Sequence, residues 1–251
     1  MPNGKKIIAV LPAYNAAKTL ERTVADISET WVDEIILVDD ASQDNTVEVA
    51  EKLRLKVFVH AKNLGYGANQ KTCYSEALKA GADIAVMVHP DHQYDPSAIP
   101  QLIQPLLNGQ ADAVFGSRMM TAGGALAGGM PYWKYLANIF LTKIENLVLG
   151  LKLTEYHSGF RAYSRKVLQT LPLEKNSNDF VFDTQIIVQL KVNGFKIKEV
   201  PIKTKYFPEA SMIGLIKSLK YGLTILGVLG HYLLFKVTKF GQTKYLKDEN
   251  N

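Results

Sequence analysis

The sequence predicts an α/β fold: a doubly wound, mostly parallel sheet flanked by helices, with an apolar and amphipathic helical extension at the C-terminal end. Three observations carry this expectation. Short apolar runs at residues 7–11, 34–38, 55–60 and 83–88 alternate with stretches whose apolar residues recur at helical spacing. That alternation gives parallel strands joined by helical crossovers. The 251 residues, 47% of them apolar and 21% charged, suffice for one sizeable core.

Ile7 to Leu11 is the first, central strand, and it ends at Pro12-Ala13-Tyr14-Asn15. Leu20, Val24 and Ile27 share a helix face, so a helix is expected to about Thr30. Glu34 to Val38 forms the second strand and runs into Asp39-Asp40. Asp44 is the expected N-cap of a helix carrying Val47, Ala50 and Leu53. A third strand, Leu55 to His60, leads to the loop Lys62-Asn63-Leu64-Gly65-Tyr66-Gly67-Ala68-Asn69 and a helix that Gly81 stops. The fourth strand, Asp83 to Val88, delivers the turn His89-Pro90-Asp91-His92-Gln93-Tyr94-Asp95-Pro96, where Pro96 opens the next helix.

A fifth strand, Ala113 to Phe115, ends in Gly116-Ser117-Arg118. Residues 121–130 contain four glycines and are expected to form a flap over a site or a plain linker. Helices follow over 131–150, 165–171 and 180–193, with extended chain at 158–163 and 195–201. Tyr221 to Phe235 is fifteen residues without Lys, Arg, Asp or Glu, flanked by Lys217, Lys220, Lys236 and Lys239. A span needs roughly 18 or more apolar residues, so a helix lying in the membrane interface fits better. A helix docking a membrane-protein partner, and a plain core helix, are the competing readings. The expected division is a catalytic domain over 1–211, with halves at about 5–116 and 117–211, a membrane-associating helix at 212–240 and a polar tail at 241–251.

A net charge of +5 and a pI of about 9.0 favour anionic partners. The basic residues are scattered, so no nucleic-acid track is expected. The one cysteine, Cys73, excludes an intrachain disulfide and fits a reducing compartment. Residues 1–15 do not read as a signal peptide, because Pro12 interrupts a short apolar run.

The chemistry gathers at the carboxyl ends of the strands, where open α/β sheets bind ligands. Asp91 and Gln93, two apart in a turn, suit a shared divalent cation, Mg²⁺ or Mn²⁺. The paired acids Asp39 and Asp40 suit a base N–H or a ribose hydroxyl. Neither GxGxxG nor a P-loop lysine motif is present, which argues against a dinucleotide enzyme and a P-loop kinase. A nucleoside-diphosphate site is the reading that uses all of these parts.

The stretches LPAYN, VDDASQDNT, KNLGYGANQKT, HPDHQYDP, GSR and HSGFRAYSR resemble, in order, the family 2 glycosyltransferases of the Rossmann-like GT-A fold. Among these the chain is most similar to polyprenyl-phosphate sugar synthases of the dolichol-phosphate mannose synthase type. The resemblance implies inverting transfer from a GDP- or UDP-sugar to a polyprenyl phosphate, at the cytoplasmic face of the membrane. It implies that Pro12, Ala13, Tyr14, Asn15, Asp39, Asp40, Lys62, Gly67 and Asn69 serve the nucleotide-sugar. Asp91 holds the metal as the last acid of the family's DxD, with Gln93 beside it. His89 stands where the family has its first acid; imidazole suits Mn²⁺ better than Mg²⁺, and His89 either ligates or bonds the diphosphate or sugar.

On the acceptor side the resemblance points to Arg118, Lys134, Arg161 and Lys205 for the phosphate, with residues 206–209 at the lipid entrance. A phosphate acceptor is already ionised and needs no base. A saccharide hydroxyl acceptor, the alternative, needs one, and Asp183 or Asp179 is the candidate. A catalytically inactive nucleotide-binding scaffold is the third reading.

Overall fold

The structure is a computed structural model, and it describes residues 4–207 and 214–246. Seven strands form one sheet in the order β3-β2-β1-β4-β6-β5-β7: β1 Ile7–Ala13, β2 Glu34–Asp39, β3 Lys56–Val59, β4 Ile84–Met87, β5 Ala113–Ser117, β6 Arg161–Ser164 and β7 Ile197–Pro201. Every residue of β1, β4 and β5 is buried. Helices cover both faces, which is why these strands read as continuous apolar runs rather than alternating ones. The edge strand β3 keeps its first and last residues exposed.

The first four strands are parallel, as the β-α alternation requires. One strand departs from the expectation: β6 runs antiparallel to both β4 and β5. The chain reaches it from β5 through two helical segments and the loop 150–160, and because it pairs antiparallel the right-handed crossover rule for parallel strands does not constrain it. Its insertion brings residues 155–159 to the carboxyl ends of β4 and β5.

The helices are α1 Leu20–Ala25, α2 Thr46–Lys52, α3 Tyr66–Lys79, α4 Ile99–Leu107, α5 Gly124–Ala127, α6 Tyr132–Leu149, α7 Arg165–Thr170, α8 Phe182–Val192 and α9 Leu215–Thr238. On one sheet face Tyr74, Tyr163, Phe182 and Ile186 pack with Val228, Leu229 and Phe235 of α9. On the other, Leu20, Ile27, Leu102 and Ile103 pack over β1 and β4.

Several boundaries differ from the sequence reading. The first helix stops at Ala25, not near Thr30. Asp44 is not the N-cap of α2; Asn45 occupies that position without a side-chain bond. The Asp44 carboxylate instead accepts from the N–H groups of Thr46 and Ala17, tying two helix entries together. Residues 121–130 fold around α5 with Ala125 and Met130 buried, and the Gly128 carbonyl accepts from Tyr206 N–H at 2.9 Å. This packed segment is neither a linker nor part of the cavity wall described below.

The C-terminal helix is longer than its uncharged stretch. Ile216–Thr238, 23 residues, holds an 18-residue window of mean hydropathy 1.2 and is by length and composition long and apolar enough to cross a membrane. The start of α9 lies on α6, with Gly222 against Leu141. Beyond its end the chain turns back: the carbonyls of Lys244 and Tyr245 accept from Gln189 and Asn193 on α8. Tyr245 is buried against Phe235 and Tyr232, and its hydroxyl lies 2.6 Å from His231 Nδ1. Both ends of α9 are thus fastened to the same domain, so the helix lies along its flank. The expected boundary at 211/212, the Pro208-Glu209 part of the lipid-entrance turn and the end of the polar tail fall outside the described residues.

Candidate active site

The expected site residues form two sets. The first knits the tips of β1 and β2 to the start of α3. The Asp40 N–H donates to the Ala13 carbonyl, and Asn69 Nδ2 donates to the carbonyls of Ala13 and Val38. Asp39 accepts from the N–H and hydroxyl of Ser42. Asn15, at positive φ, accepts from Gln43 N–H, and its own N–H donates to Ser42. Pro12 and Ala13 are buried in β1, while Tyr14 and Lys62 are exposed beside these tips.

Three members of this set do not present a group to a ligand. Asp40 is buried, and its carboxylate accepts from the N–H groups of Leu64 and Gly65 and contacts His60 Nδ1 at 2.7 Å. It therefore fastens the glycine loop to β2. Gly67 owes its place to packing: a Cβ there would lie 2.4 Å from the Ser177 carbonyl and 2.8 Å from Phe182 Cβ. Asn69 likewise spends its donors on the strand-tip carbonyls of Ala13 and Val38.

The second set surrounds a cavity of about 380 Å³. His89, Asp91, Gln93 and Tyr94 come from the tip of β4, Arg118 from the tip of β5, and Tyr66 from the first turn of α3. Trp133, Lys134, Asn138 and Leu141 line it from α6, His157 and Gly159 from the inserted loop, Asp183 from α8, and Lys217, Ser218 and Tyr221 from α9. The two sets meet at Gly65-Tyr66, because Gly65 N–H is held by Asp40 while Tyr66 faces the cavity.

Within the turn, Asp91 accepts from Gln93 N–H at 3.0 Å. The His89 ring stacks on Tyr66, with centroids 5.6 Å apart, and its Nε2 is 3.4 Å from the Tyr66 hydroxyl. Gly159 is required here, because a Cβ would sit 2.3 Å from that nitrogen. Burial pulls the His89 imidazole below its usual range despite Asp91 nearby. A neutral ring with a nitrogen lone pair, next to a carboxylate, fits a borderline cation such as Mn²⁺. No cluster of three or more acidic, His or Cys side chains exists among the described residues. A bound cation would therefore take most of its ligands from diphosphate oxygens and water, as Mg²⁺ and Mn²⁺ at nucleotide sites commonly do.

The acceptor-side cations divide by availability. Arg161 is 1% exposed and does not line the cavity. Its N–H groups donate to the carbonyls of Ser158, Tyr156 and Asp183, and it stacks on Phe115. The phosphate-clamp role expected of Arg161 does not fit this geometry; it braces α8 and the inserted loop from behind. Arg118 lines the cavity but is paired with Glu155 through Nε and Nη2, and Nη1 donates to Tyr206 at 2.7 Å. Burial disfavours its charge, yet Glu155 more than compensates and holds it firmly protonated. Lys205 pairs its backbone N–H with the Gln93 carbonyl, and its exposed side chain lies outside the cavity lining.

Lys134 lies over the Tyr206 ring, and burial, with Arg118 nearby, depresses its ammonium. Lys217 lines the same cavity from α9. Lys217 was legible only as part of a basic rim, since nothing in the sequence says that α9 folds back onto α6. Asp183 accepts from the Tyr66 hydroxyl at 2.8 Å and from Gln70 Nε2 at 3.2 Å, and pairs with Arg161 at 3.7 Å. Each of its carboxylate oxygens thus already accepts from one protein donor.

Outside this cavity, α6 and α9 expose a broad apolar surface: Tyr132, Leu136, Phe140 and Leu147 on one, and Ile216, Leu219, Leu223 and Val237 on the other. Exposed apolar area of this extent marks an interaction face.

A Rossmann-like sheet with one inserted antiparallel strand, and an acid-bearing turn at the tip of β4, defines a GT-A glycosyltransferase. The chain belongs to glycosyl transferase family 2, whose model matches residues 8–171. Among its relatives is a UDP-N-acetylglucosamine–dolichyl-phosphate N-acetylglucosaminyltransferase of Methanococcus voltae, 32% identical over 219 residues, 80% of this chain and 86% of that protein. Glycosyltransferase AglD of Haloferax volcanii is 28% identical over 214 residues, 79% of this chain and 33% of that protein. Of solved structures, glucosyl-3-phosphoglycerate synthase of Mycobacterium tuberculosis with Mn²⁺, UDP-glucose and phosphoglyceric acid shares the fold at a TM-score of 0.70 and 22% identity, over 92% of this chain and 80% of that one. The same enzyme is also solved with Mg²⁺ and UDP.

Proposed function

We propose that this glycosyltransferase moves a sugar, with inversion, from a nucleoside-diphosphate sugar to a polyprenyl phosphate at the cytoplasmic face of a membrane. The observation that carries the reading is the position of the cavity. It lies between the acid-bearing tip of β4 and the paired helices α6 and α9, with Lys134 and Lys217 facing into it and apolar side chains facing out. A phosphate headgroup suits the two ammonium groups, and a polyprenyl tail suits the apolar face of helices lying in the interface.

In this reading a phosphate oxygen of the acceptor forms a bond to the anomeric carbon as the bond to the nucleoside diphosphate breaks. The nucleophile is already ionised, so no proton need be removed. The chain's task is to hold the two reactants in line and to exclude water. Asp91 and neutral His89 would hold a divalent cation, Mn²⁺ fitting best, and that cation supplies charge neutralisation at the departing diphosphate. Asp39, Tyr14 and Asn15 shape the nucleotide end. UDP-sugars are the first donors to test, in view of the M. voltae relative; GDP-sugars are the second.

A saccharide hydroxyl acceptor fits less well, because Asp183, its candidate base, already accepts from Tyr66 and Gln70. Labelled donor incubated with the enzyme, Mn²⁺ and polyprenyl phosphate in detergent is expected to give lipid-extractable label. Label appearing only on water-soluble saccharides would overturn the proposal.

A further inference from the structure

The α6–α9 side of the cavity contains a pair with no task in the reading above. Glu145, on α6, is 0% exposed, and neither carboxylate oxygen makes a hydrogen bond of good geometry. His157 Nε2 lies 3.2 Å from Glu145 Oε2. The His157 ring lines the cavity, meets the Tyr221 ring edge-on at 5.9 Å, and places Nδ1 3.5 Å from the Tyr221 hydroxyl. Arg118 Nη2 donates to the His157 carbonyl at 3.1 Å, which fixes the backbone that carries the ring.

A buried carboxylate with no counter-charge is costly. The Nε2 edge of His157 faces Glu145 and its Nδ1 edge faces Tyr221, which itself lines the cavity. A ring that donates at both edges is an imidazolium, and an entering phosphate would favour that form, because only then does the ring offer it a charged donor.

We propose that His157 is an acceptor-phosphate ligand, donating through Nδ1 alongside the Tyr221 hydroxyl, and that Glu145 is the positioning residue that keeps its ring oriented and charged. The inference rests on the reading that the acceptor is a phosphate. The charged and titratable groups around the ring are Glu145 and Lys134 of α6, Tyr221 and Lys217 of α9, Asp183 of α8, Arg118 after β5 and Tyr156 of its own loop. Lys134 and Lys217 serve the headgroup from its other sides, so the three cations would enclose it.

Steady-state kinetics on wild type, Glu145→Gln, His157→Gln and Tyr221→Phe tests this, with polyprenyl phosphate and nucleotide-sugar varied separately. The two polar variants are expected to raise KM for the lipid phosphate by about tenfold, and Tyr221→Phe by severalfold, with KM for the donor unchanged. Equal changes in both KM values, or none, would overturn the proposal. A second arm stands apart from turnover and from the folding of any variant: NMR of ring-labelled histidine in the wild-type protein, titrated with inorganic phosphate. The His157 ring is expected to take up the imidazolium signature as phosphate binds; a ring that stays neutral at saturation overturns the pairing. Should wild type form no lipid-linked product, the broader reading falls, while the NMR arm still decides whether His157 binds phosphate.

Discussion

Glu155→Ala isolates what holds the cavity wall together. The Glu155 carboxylate accepts from Arg118 N–H at 2.7 Å, from Arg118 Nε at 2.8 Å and from Asn138 Nδ2 at 2.8 Å, and it pairs with Arg118 Nη2. Both charged side chains are buried. Removing one member of a buried pair strands the other charge, at about 3–5 kcal/mol, and the lost Asn138 bond adds about 1 kcal/mol. For a chain of this size each kcal/mol shifts the thermal midpoint by about 2–4 °C, so a drop of roughly 8–24 °C is expected. Replacing both residues by methionine should recover most of it, because no charge is then stranded.

Acid gives an independent check. Burial raises the Glu155 carboxyl, but Arg118 more than reverses this, so its folded value lies below the ordinary one. A depressed carboxylate contributes stability in full above the unfolded value of about 4.3 and loses it as pH falls through the folded value. The gap between wild type and Glu155→Gln should thus be full at pH 7 and close progressively below about pH 4. Circular dichroism melts across pH measure both effects. A Glu155→Ala protein melting within about 2 °C of wild type at pH 7 would refute the stranded-charge argument.

Three further outcomes follow from named contacts. Gly67→Ala drives a methyl group into the Ser177 carbonyl, so a loss of about 1–3 kcal/mol in urea unfolding is expected, together with weaker donor binding as the loop shifts. His89→Asp restores a second carboxylate beside Asp91 and should raise the rate supported by Mg²⁺ relative to Mn²⁺, read from initial rates with each metal. Leu219→Asp with Leu223→Asp places charge on an exposed apolar face, so co-sedimentation with anionic vesicles should fall at least tenfold while the melting midpoint in detergent stays within about 2 °C of wild type.

The first half of the fold was legible because parallel strands between helices are uniformly apolar, and because proline, glycine and paired acids mark their ends. The second half was less so. β6 is four residues long, and nothing in Arg161–Ser164 says which way it runs. Side-chain direction was harder still. Asp39 and Asp40 are adjacent acids, yet Asp40 turns inward to the Leu64 and Gly65 amides. Arg161 looked like a phosphate clamp by its motif, but burial behind the cavity gives its donors to backbone carbonyls. Glu145 and His157 are twelve positions apart in sequence, and only the packing of α6 against the inserted loop makes them a pair. The uncharged run in α9 counted as too short to span, and the helix proved longer; what decides its orientation is the return of Tyr245 to α8, a tertiary contact with no local signal.

The central claim is that the cavity between the tip of β4 and helices α6 and α9 receives the phosphate end of a polyprenyl chain. Photo-crosslinking with a diazirine-bearing polyprenyl phosphate, read by peptide mass spectrometry, tests it most directly. Label is expected on Trp133, Leu141 or Tyr221, competed by unlabelled polyprenyl phosphate and not by the matching alcohol. Label confined to other surfaces, or competed equally by the alcohol, would contradict the claim.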